Sequence, residues 1–487
     1  MKSMTILDSI KKYAIERSNK ICIADKKEQL TYKQMWELIN SAAFFLKKNG
    51  IKEGDVVVIK SVQKIEFLVV TLAVQLLGAT SCALEKNIKE DRVREIIDKL
   101  ESSYFISNRL IESSNFKSIK LREVYEYSKQ NDSKEFESPD TDKLAEIIFT
   151  TGTTGKSKGI MISHRVNKAI AENVIDSVKM RTREVELITT PISHALAIRR
   201  VYASLYIGST AIITDGVKFV EDFFKLLDKY NVTAITFVPA ILEQVLKLAK
   251  DRFESYKEQL NYIQLGSAPL SEKNKNILIE MFPYVRLYNT YGMTESACSI
   301  ILDFNKYKGK RNCIGTTTIN TEVFFVDRDN NLIDATEKNP GRMVFKGGMN
   351  MLGYYNDEEE TKEVLKDGMV YTNDLGYMDK NGFVYFLGRD GDVINMGGIK
   401  IAPTEIEEAA MKHPSIKDCG CVPIYDEITE EAPKLFVELN DNCKLEKNEI
   451  IMFLSEKLEA IKVPKSYEVI DKIPRTFNGK IIRKELM

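Results

Sequence analysis

Long apolar runs are missing from this chain of 487 residues, and nowhere does it offer the roughly 20 consecutive apolar residues that would span a bilayer. The start, Met1-Lys-Ser-Met-Thr-Ile-Leu-Asp-Ser-Ile10, lacks the apolar core of a signal peptide, so a cytoplasmic protein without a membrane span is expected. The seven cysteines are odd in number and scattered from Cys22 to Cys443, which gives no disulfide framework and leaves free thiols as the expectation. Cys419-Gly-Cys421 is the one close pair; with neither a second pair nor a histidine cluster nearby, it argues against a zinc site. A charge excess of either sign is absent too. Lys and Arg number 70 against 71 Asp and Glu, which leaves no net field to draw a nucleic acid.

What is present is the composition of a globular protein, 44% hydrophobic and 29% charged, at a length that calls for two or more domains. The first 140 residues alternate helical and strand patterns, as layered α/β structure does. Thr31-Tyr-Lys-Gln34 predicts a capping box for a helix running to Lys48, Val56–Ile59 a buried strand, and Glu66–Leu77 a helix closed near Gly78. Tyr127–Asp142 is polar and predicts a flexible connection. A second α/β unit starts near residue 183, with strands at Ala211–Thr214 and Ala234–Phe237 and a helix at Val217–Lys229. Beyond residue 312 the pattern turns to short strands, and Asn381-Gly382 between apolar runs predicts a hairpin. About 100 residues follow Gly388, enough for a small separate domain. The expected division is 1–388 and 389–487.

The stretch Phe149-Thr-Thr-Gly-Thr-Thr-Gly-Lys-Ser-Lys-Gly159 suits nucleotide phosphates, because glycines admit an anion to the backbone while N–H groups, hydroxyls and lysines bind its oxygens. A Walker loop would need glycine where Thr150 stands, and it would open a helix. Here Ile147-Ile-Phe149 and Ile160-Met-Ile162 both read as strands, and the helix begins later, with Ser163 as N-cap for Arg165–Lys179. The loop resembles that of the adenylate-forming superfamily, which includes acyl- and aryl-CoA synthetases and the adenylation domains of peptide synthetases. Tyr291-Gly-Met-Thr-Glu295, Gly266-Ser-Ala-Pro269, Tyr371-Thr-Asn-Asp-Leu-Gly376, Gly388-Arg389, Met396-Gly-Gly-Ile-Lys-Ile-Ala-Pro-Thr-Glu-Ile-Glu407 and Pro474-Arg-Thr-Phe-Asn-Gly-Lys-Ile481 resemble further motifs of that family, and the resemblance covers nearly the whole chain.

The resemblance implies a large N-terminal domain of layered α/β subdomains with a β-rich part, and a small mobile C-terminal α+β domain. It implies ATP, Mg²⁺ and coenzyme A, or a carrier-protein phosphopantetheine, as cofactors or partners. Thr150, Thr151, Gly152, Thr153, Thr154, Gly155 and Lys158 would hold phosphates; Gly266, Ser267, Ala268, Asn289 and Tyr291 would hold adenine; Asp374 would hold the ribose hydroxyls and Arg389 ribose and phosphate. Thr294 would reach the α-phosphate, Glu295 the metal, and Lys480 the reacting carboxylate and phosphate, while Gly397 and Gly398 would line the thiol tunnel. Asn373 replaces a usual glycine and is expected to keep a left-handed turn. Gly391 replaces a charged hinge residue, for which Asp390 or Asp392 could substitute. Glu407 has a structural reading, closing a capping box with Thr404. Of the three histidines, His194 falls beside the acyl site as a packing or gating residue, His164 in the loop after the phosphate strand, and His413 at the surface.

Carried over position by position, the acyl pocket comprises His194, Ala195, Leu196, Arg199, Ile263, Leu265, Thr290, Cys298 and Ser299. Ala195 stands where amino-acid-activating members have an aspartate, which disfavours an α-amino acid. If Arg199 turns inward it needs an anionic or strongly hydrogen-bonding partner, such as a diacid or a polar aryl acid; the alternative is that Arg199 and Arg200 reach solvent. The expected activity is ATP-dependent ligation of a carboxylic acid to a thiol through an acyl-adenylate. A carrier-loading enzyme acting in trans and a non-catalytic acyl- or nucleotide-binding protein are the alternatives.

Overall fold

The computed structural model describes all residues except 1–3, 132–134, 151–157, 218, 311, 397–398 and 477–478. Three sheets organise it. A seven-stranded sheet runs in the order Gly353–Tyr354, Lys158–Ser163, Leu144–Thr150, Thr80–Leu84, Val56–Lys60, Tyr104–Ser107 and Lys117–Lys120. Its last five strands are parallel, whereas Lys158–Ser163 returns antiparallel to Leu144–Thr150, so the expected phosphate loop joins a hairpin rather than a strand and helix.

The fourteen-stranded sheet has a parallel centre formed by Thr210–Ile213, Val185–Ile188, Ala234–Phe237, Tyr262–Leu265 and Arg286–Met293. It continues antiparallel through Ala297–Asp303, Cys313–Thr317, Val384–Arg389, Met369–Met378, Gly341–Gly347 and Thr321–Val326, the β-rich part that the sequence predicts. Packed in the core with both sheets is the helix Ile65–Leu76. Its twelve residues are all buried, as a sequence apolar on every side apart from Glu66, Thr71 and Gln75 requires.

The third sheet, of five strands, gathers Ile394–Met396, Ile399–Ile401, Ile416–Asp426, Glu430–Leu439 and Ser466–Val469. It has its own apolar cluster around Ile406, Leu435 and Val437. Among the described residues no helix is long and apolar enough to cross a membrane.

Local signals are realised where the chemistry is local. Thr31 caps Tyr32–Lys48, its Oγ1 accepting from the Gln34 N–H at 3.2 Å while Gln34 Oε1 accepts from the Thr31 N–H at 2.9 Å. Ser163 caps the helix His164–Ser177. The polar connection starts late, because Leu121–Gln130 is helical. Glu407 closes no capping box: the helix Pro403–Ala410 starts after Ala402, and the buried carboxylate accepts from the Cys421 N–H at 2.8 Å and from Arg483 Nη2 at 2.6 Å. His413 is not at the surface but buried, with Nδ1 accepting from the Ser415 N–H and the ring edge-on to Phe453.

His164 is the first residue of its helix rather than part of a loop, and it is 2% exposed with Nε2 lacking a hydrogen-bond partner. Burial pulls its pKa down to about 4 against the opposing pull of Asp8 and Asp140. The unfolded chain therefore binds a proton near pH 6.5 that the folded chain refuses until about pH 4. The stability held above the unfolded pKa, about 3 kcal/mol, is lost as pH falls across that window. Urea denaturation of wild type and His164→Leu at several pH values checks this: the difference between the two should change by that amount between pH 7 and pH 4. A difference independent of pH would contradict the assignment.

Candidate active site

The hairpin of Arg286–Met293 and Ala297–Asp303 slips register between Tyr291 and Gly292. A Cβ on Gly292 would lie 1.6 Å from the Ala297 carbonyl oxygen, so no other residue fits without moving the turn that carries Thr294 and Glu295. Ala297 and Ser267 hold left-handed backbone at φ of 48° and 71°. Each costs about 1 kcal/mol or more, strain that only an over-determined surrounding retains.

Tyr291 projects between Phe345 and Phe386, with ring centroids 5.9 Å from each, and its hydroxyl donates to Asp374 Oδ2. Burial, reinforced by the Asp374 charge, raises this phenol well above its ordinary value and keeps it a donor. Asp374 pairs in the sheet with Arg389, whose Nε lies 3.4 Å from Asp374 Oδ1. Asn373 is extended within Met369–Met378, not left-handed; its carbonyl accepts from the Asp390 N–H at 2.6 Å, so the strand pairing does what a turn was expected to do.

Lys480, in the C-terminal part, feels the charges of this group. Its amine is lowered from the usual lysine range by loss of hydration and by Arg389, with Asp374 and Glu295 opposing, although the side chain keeps contact with solvent. Its loop is pinned locally. Arg475 grips Asp418 through two nitrogens at 2.7 and 2.6 Å and donates to the Gly479 carbonyl at 2.6 Å, while the Lys480 N–H donates to Thr476 Oγ1 at 3.1 Å.

Lys158, at the start of the strand leaving the phosphate loop, is ion-paired with Glu360. Thr151, Gly152, Thr153, Thr154 and Gly155 lie outside the described residues, as does the Thr150 side chain. Gly397 and Gly398 lie outside them as well, between the paired strands Ile394–Met396 and Ile399–Ile401. Gly266, Ser267 and Ala268 follow the strand Tyr262–Leu265, and Asn289 Oδ1, on the neighbouring strand, is buried without a partner, as an acceptor awaiting an amino group would be.

The helix Ala195–Ile207 carries the first acyl-site positions, with His194 as its N-cap residue. His194 Nε2 is 3.7 Å from Glu85 Oε1; burial lowers its pKa while Glu85 opposes. Leu196 Cδ1 lies 3.5 Å and Thr290 Oγ1 2.7 Å from where a Gly266 Cβ would stand, so these residues share one wall. Arg199 does not reach solvent. It is 5% exposed, with Nη1 held by Glu146 and Asn167 and Nη2 buried without a partner, so its charge is offset within the protein. Arg200 is also buried, donating to Glu186 at 2.7 Å and to the Tyr262 hydroxyl at 2.8 Å.

Strand alternation sets two further positions apart from their neighbour. Ile263 and Leu265 face the apolar cluster with Phe237, Leu278 and Leu287, and Gln264 between them donates to Thr290 Oγ1 at 2.6 Å. Gln264, absent from the sequence prediction, is thus the buried side chain of this strand that holds Thr290, and the period-2 rule applied to the strand would have found it. Ser299 is fully buried with Oγ donating to the Ser296 carbonyl, and the Cys298 thiol, raised to about 11 by burial, lies by Ser177 and Arg200.

Among the described residues no three or more His, Cys, Asp or Glu side chains cluster to hold a metal. A lone carboxylate at Glu295 instead fits a hard cation that takes its remaining ligands from water and phosphate oxygens, as Mg²⁺ does.

The AMP-binding enzyme family profile matches residues 10–355, and the profile of the AMP-binding enzyme C-terminal domain matches residues 405–480. A 2-succinylbenzoate-CoA ligase of Bacillus cereus is 27% identical over 96% of this chain and 95% of its own length. The 4-coumarate-CoA ligase 2 of Petroselinum crispum is 28% identical over 94% and 89%. The o-succinylbenzoate coenzyme A synthetase of Bacillus subtilis, solved with ATP and a magnesium ion, superposes with a TM-score of 0.86 at 22% identity, covering 98% of each chain. With both profiles matched in order along one chain, this protein belongs to the AMP-binding enzyme family.

Proposed function

We propose that this chain joins a carboxylic acid to the thiol of coenzyme A in two steps, converting ATP to AMP and pyrophosphate. The observation that carries the reading is that Asp374, 3.4 Å from Arg389, accepts from the Tyr291 hydroxyl, while Lys480, from the C-terminal part of the chain, feels the charges of Arg389, Asp374 and Glu295. A carboxylate oxygen attacks the α-phosphorus of ATP and the bond to pyrophosphate breaks. Lys480 offsets the charge that gathers on the carboxylate and phosphate oxygens as this happens. Asp374 accepts from both ribose hydroxyls, Tyr291 stacks on adenine, Asn289 Oδ1 accepts from the purine amino group, and Thr294 with the loop 150–155 and Lys158 holds phosphate. Glu295 would hold Mg²⁺, which supplies neutralisation of the leaving pyrophosphate.

In the second step the domain that starts at residue 389 turns about Gly391, whose φ of 93° and open surroundings suit a hinge. The turn withdraws Lys480 and brings Gly397 and Gly398 to the thiol, whose sulfur attacks the acyl carbon and expels AMP. No strong base is needed, since AMP is a good leaving group; His194 packs at the entrance. The acid assigned is an apolar or aryl monocarboxylate. Leu196, Gly266 and Thr290 form its wall, Glu146 already offsets the Arg199 charge, and Ala195 offers nothing to an ammonium group. Cytoplasm, which supplies ATP and coenzyme A and keeps the seven cysteines reduced, is the assigned location. Intact Thr294, Glu295, Asp374 and Lys480 count against a binding-only role.

Thioester formation, followed by mass spectrometry across fatty, aryl, dicarboxylic and amino acids, tests this. Product with coenzyme A and apolar or aryl monoacids is expected. Product only with dicarboxylates would return Arg199 to the role of anchor, and product only on a phosphopantetheine-bearing carrier would replace coenzyme A.

A further inference from the structure

One side chain touches both halves of the phosphate and metal machinery without belonging to either motif. Tyr354 is 4% exposed, and its hydroxyl donates to Glu295 Oε1 at 3.0 Å. The Lys158 ammonium lies over the face of the same ring, 5.1 Å from its centroid. The surrounding backbone is laced as tightly. The Met351 N–H donates to the Glu295 carbonyl at 2.8 Å, the Leu352 N–H to the Met161 carbonyl at 2.9 Å, and the Tyr355 N–H to the Gly159 carbonyl at 2.8 Å. Gly353 and Tyr354 pair antiparallel with Met161 and Ile160, and the Tyr354 N–H is held by Thr361 Oγ1 at 2.8 Å. This strap ties the strand leaving the phosphate loop to the turn that carries Glu295.

We propose that Tyr354 is a positioning residue for both: its hydroxyl fixes the Glu295 carboxylate for a divalent cation, and its ring steers the Lys158 ammonium toward phosphate. The inference rests on the reading of Glu295 and Lys158 given above. A neutral hydroxyl donor on one carboxylate oxygen sets the carboxylate's orientation while leaving Oε2 for the cation, and outer partners of this kind typically carry about 10–100-fold of metal affinity. The ring face adds an attraction that is directional for the ammonium and leaves its three donors free. Lys158 is paired with Glu360 in this structure, so phosphate must win it from that carboxylate, and a lysine already held over the ring has less far to move.

The test separates the two contacts. Mn²⁺ binding to the full chain with saturating ATP is followed by electron paramagnetic resonance, and ATP binding in EDTA by calorimetry. Tyr354→Phe should weaken Mn²⁺ about 10-fold with metal-free ATP affinity unchanged. Tyr354→Leu should weaken both. In a Glu295→Ala background, Tyr354→Phe should cost nothing further. Wild-type Mn²⁺ affinity in Tyr354→Phe overturns the proposal, as does an equal loss in both backgrounds, since the hydroxyl would then act through the fold and not through Glu295. Absence of Mn²⁺·ATP binding in the wild type would instead remove the reading on which the proposal rests.

Discussion

Lys480→Ala is expected to slow acyl-adenylate formation by about 10²–10³-fold and to leave thioester formation from supplied acyl-adenylate almost unchanged. The asymmetry follows from where the amine sits. In this structure it is exposed yet feels the charges of Arg389, Asp374 and Glu295, and its lowered pKa reflects partial loss of hydration and the nearby Arg389 guanidinium. An anionic reacting centre restores what the amine lacks. Its contribution is therefore largest when charge develops on the phosphate and carboxylate oxygens. The second half-reaction begins after that charge has left with pyrophosphate. Pyrophosphate release and coenzyme A acylation, measured separately, decide the matter, and equal losses in both would remove Lys480 from the chemistry.

The second large effect concerns the helix Ala195–Ile207. Two adjacent arginines fasten it in different directions: Arg199 to Glu146 of the seven-stranded sheet, and Arg200 to Glu186 of the fourteen-stranded one. Glu186 is fully buried and also accepts from the Tyr262 hydroxyl at 3.2 Å. Burial alone would pull the Arg200 pKa down, but Glu186 and Tyr262 outweigh it and hold the guanidinium charged. Glu186→Ala strands that charge in the interior, which should cost about 3–5 kcal/mol. A double variant, Glu186→Met with Arg200→Met, should recover much of the loss, because apolar side chains of similar volume leave no charge to solvate. Thermal melting of the three proteins checks this. A double variant no more stable than Glu186→Ala would mean that Glu186 matters through its hydroxyl partners and not through the ion pair.

These arginines also show where reading the sequence stops. The strands beside the phosphate loop, the Thr31 and Ser163 caps and the hairpin at Asn381-Gly382 were legible because their causes lie within a few residues. The motif residues Asp374, Arg389, Glu295 and Lys480 were named through resemblance, and of these the structure sets Asp374 and Arg389 3.4 Å apart. Arg199 was not, because Glu146 lies far away in the chain and is itself unremarkable in a strand; two expectations, a substrate anion or solvent, omitted an anion supplied by the protein. Ile263 and Leu265 were assigned to the pocket by position, and the alternation of side chains along their strand turns them to an apolar cluster and Gln264 to Thr290. Glu407 and His413 missed for a related reason: each has a local reading that a tertiary contact overrides, Arg483 and the Cys421 N–H for one, Phe453 for the other. Tyr354 carries no local signal at all, since its two partners come from separate motifs.

Acid-dependent exchange of labelled pyrophosphate into ATP tests the central claim most directly, because it needs only the adenylation half of the cycle and no assumption about the thiol. Exchange that requires both a carboxylic acid and Mg²⁺, and that falls in Lys480→Ala, is the predicted result. Exchange independent of added acid, or its complete absence with every acid of a broad fatty, aryl and dicarboxylic panel despite tight ATP binding, would contradict acyl-adenylate formation as the function of this site.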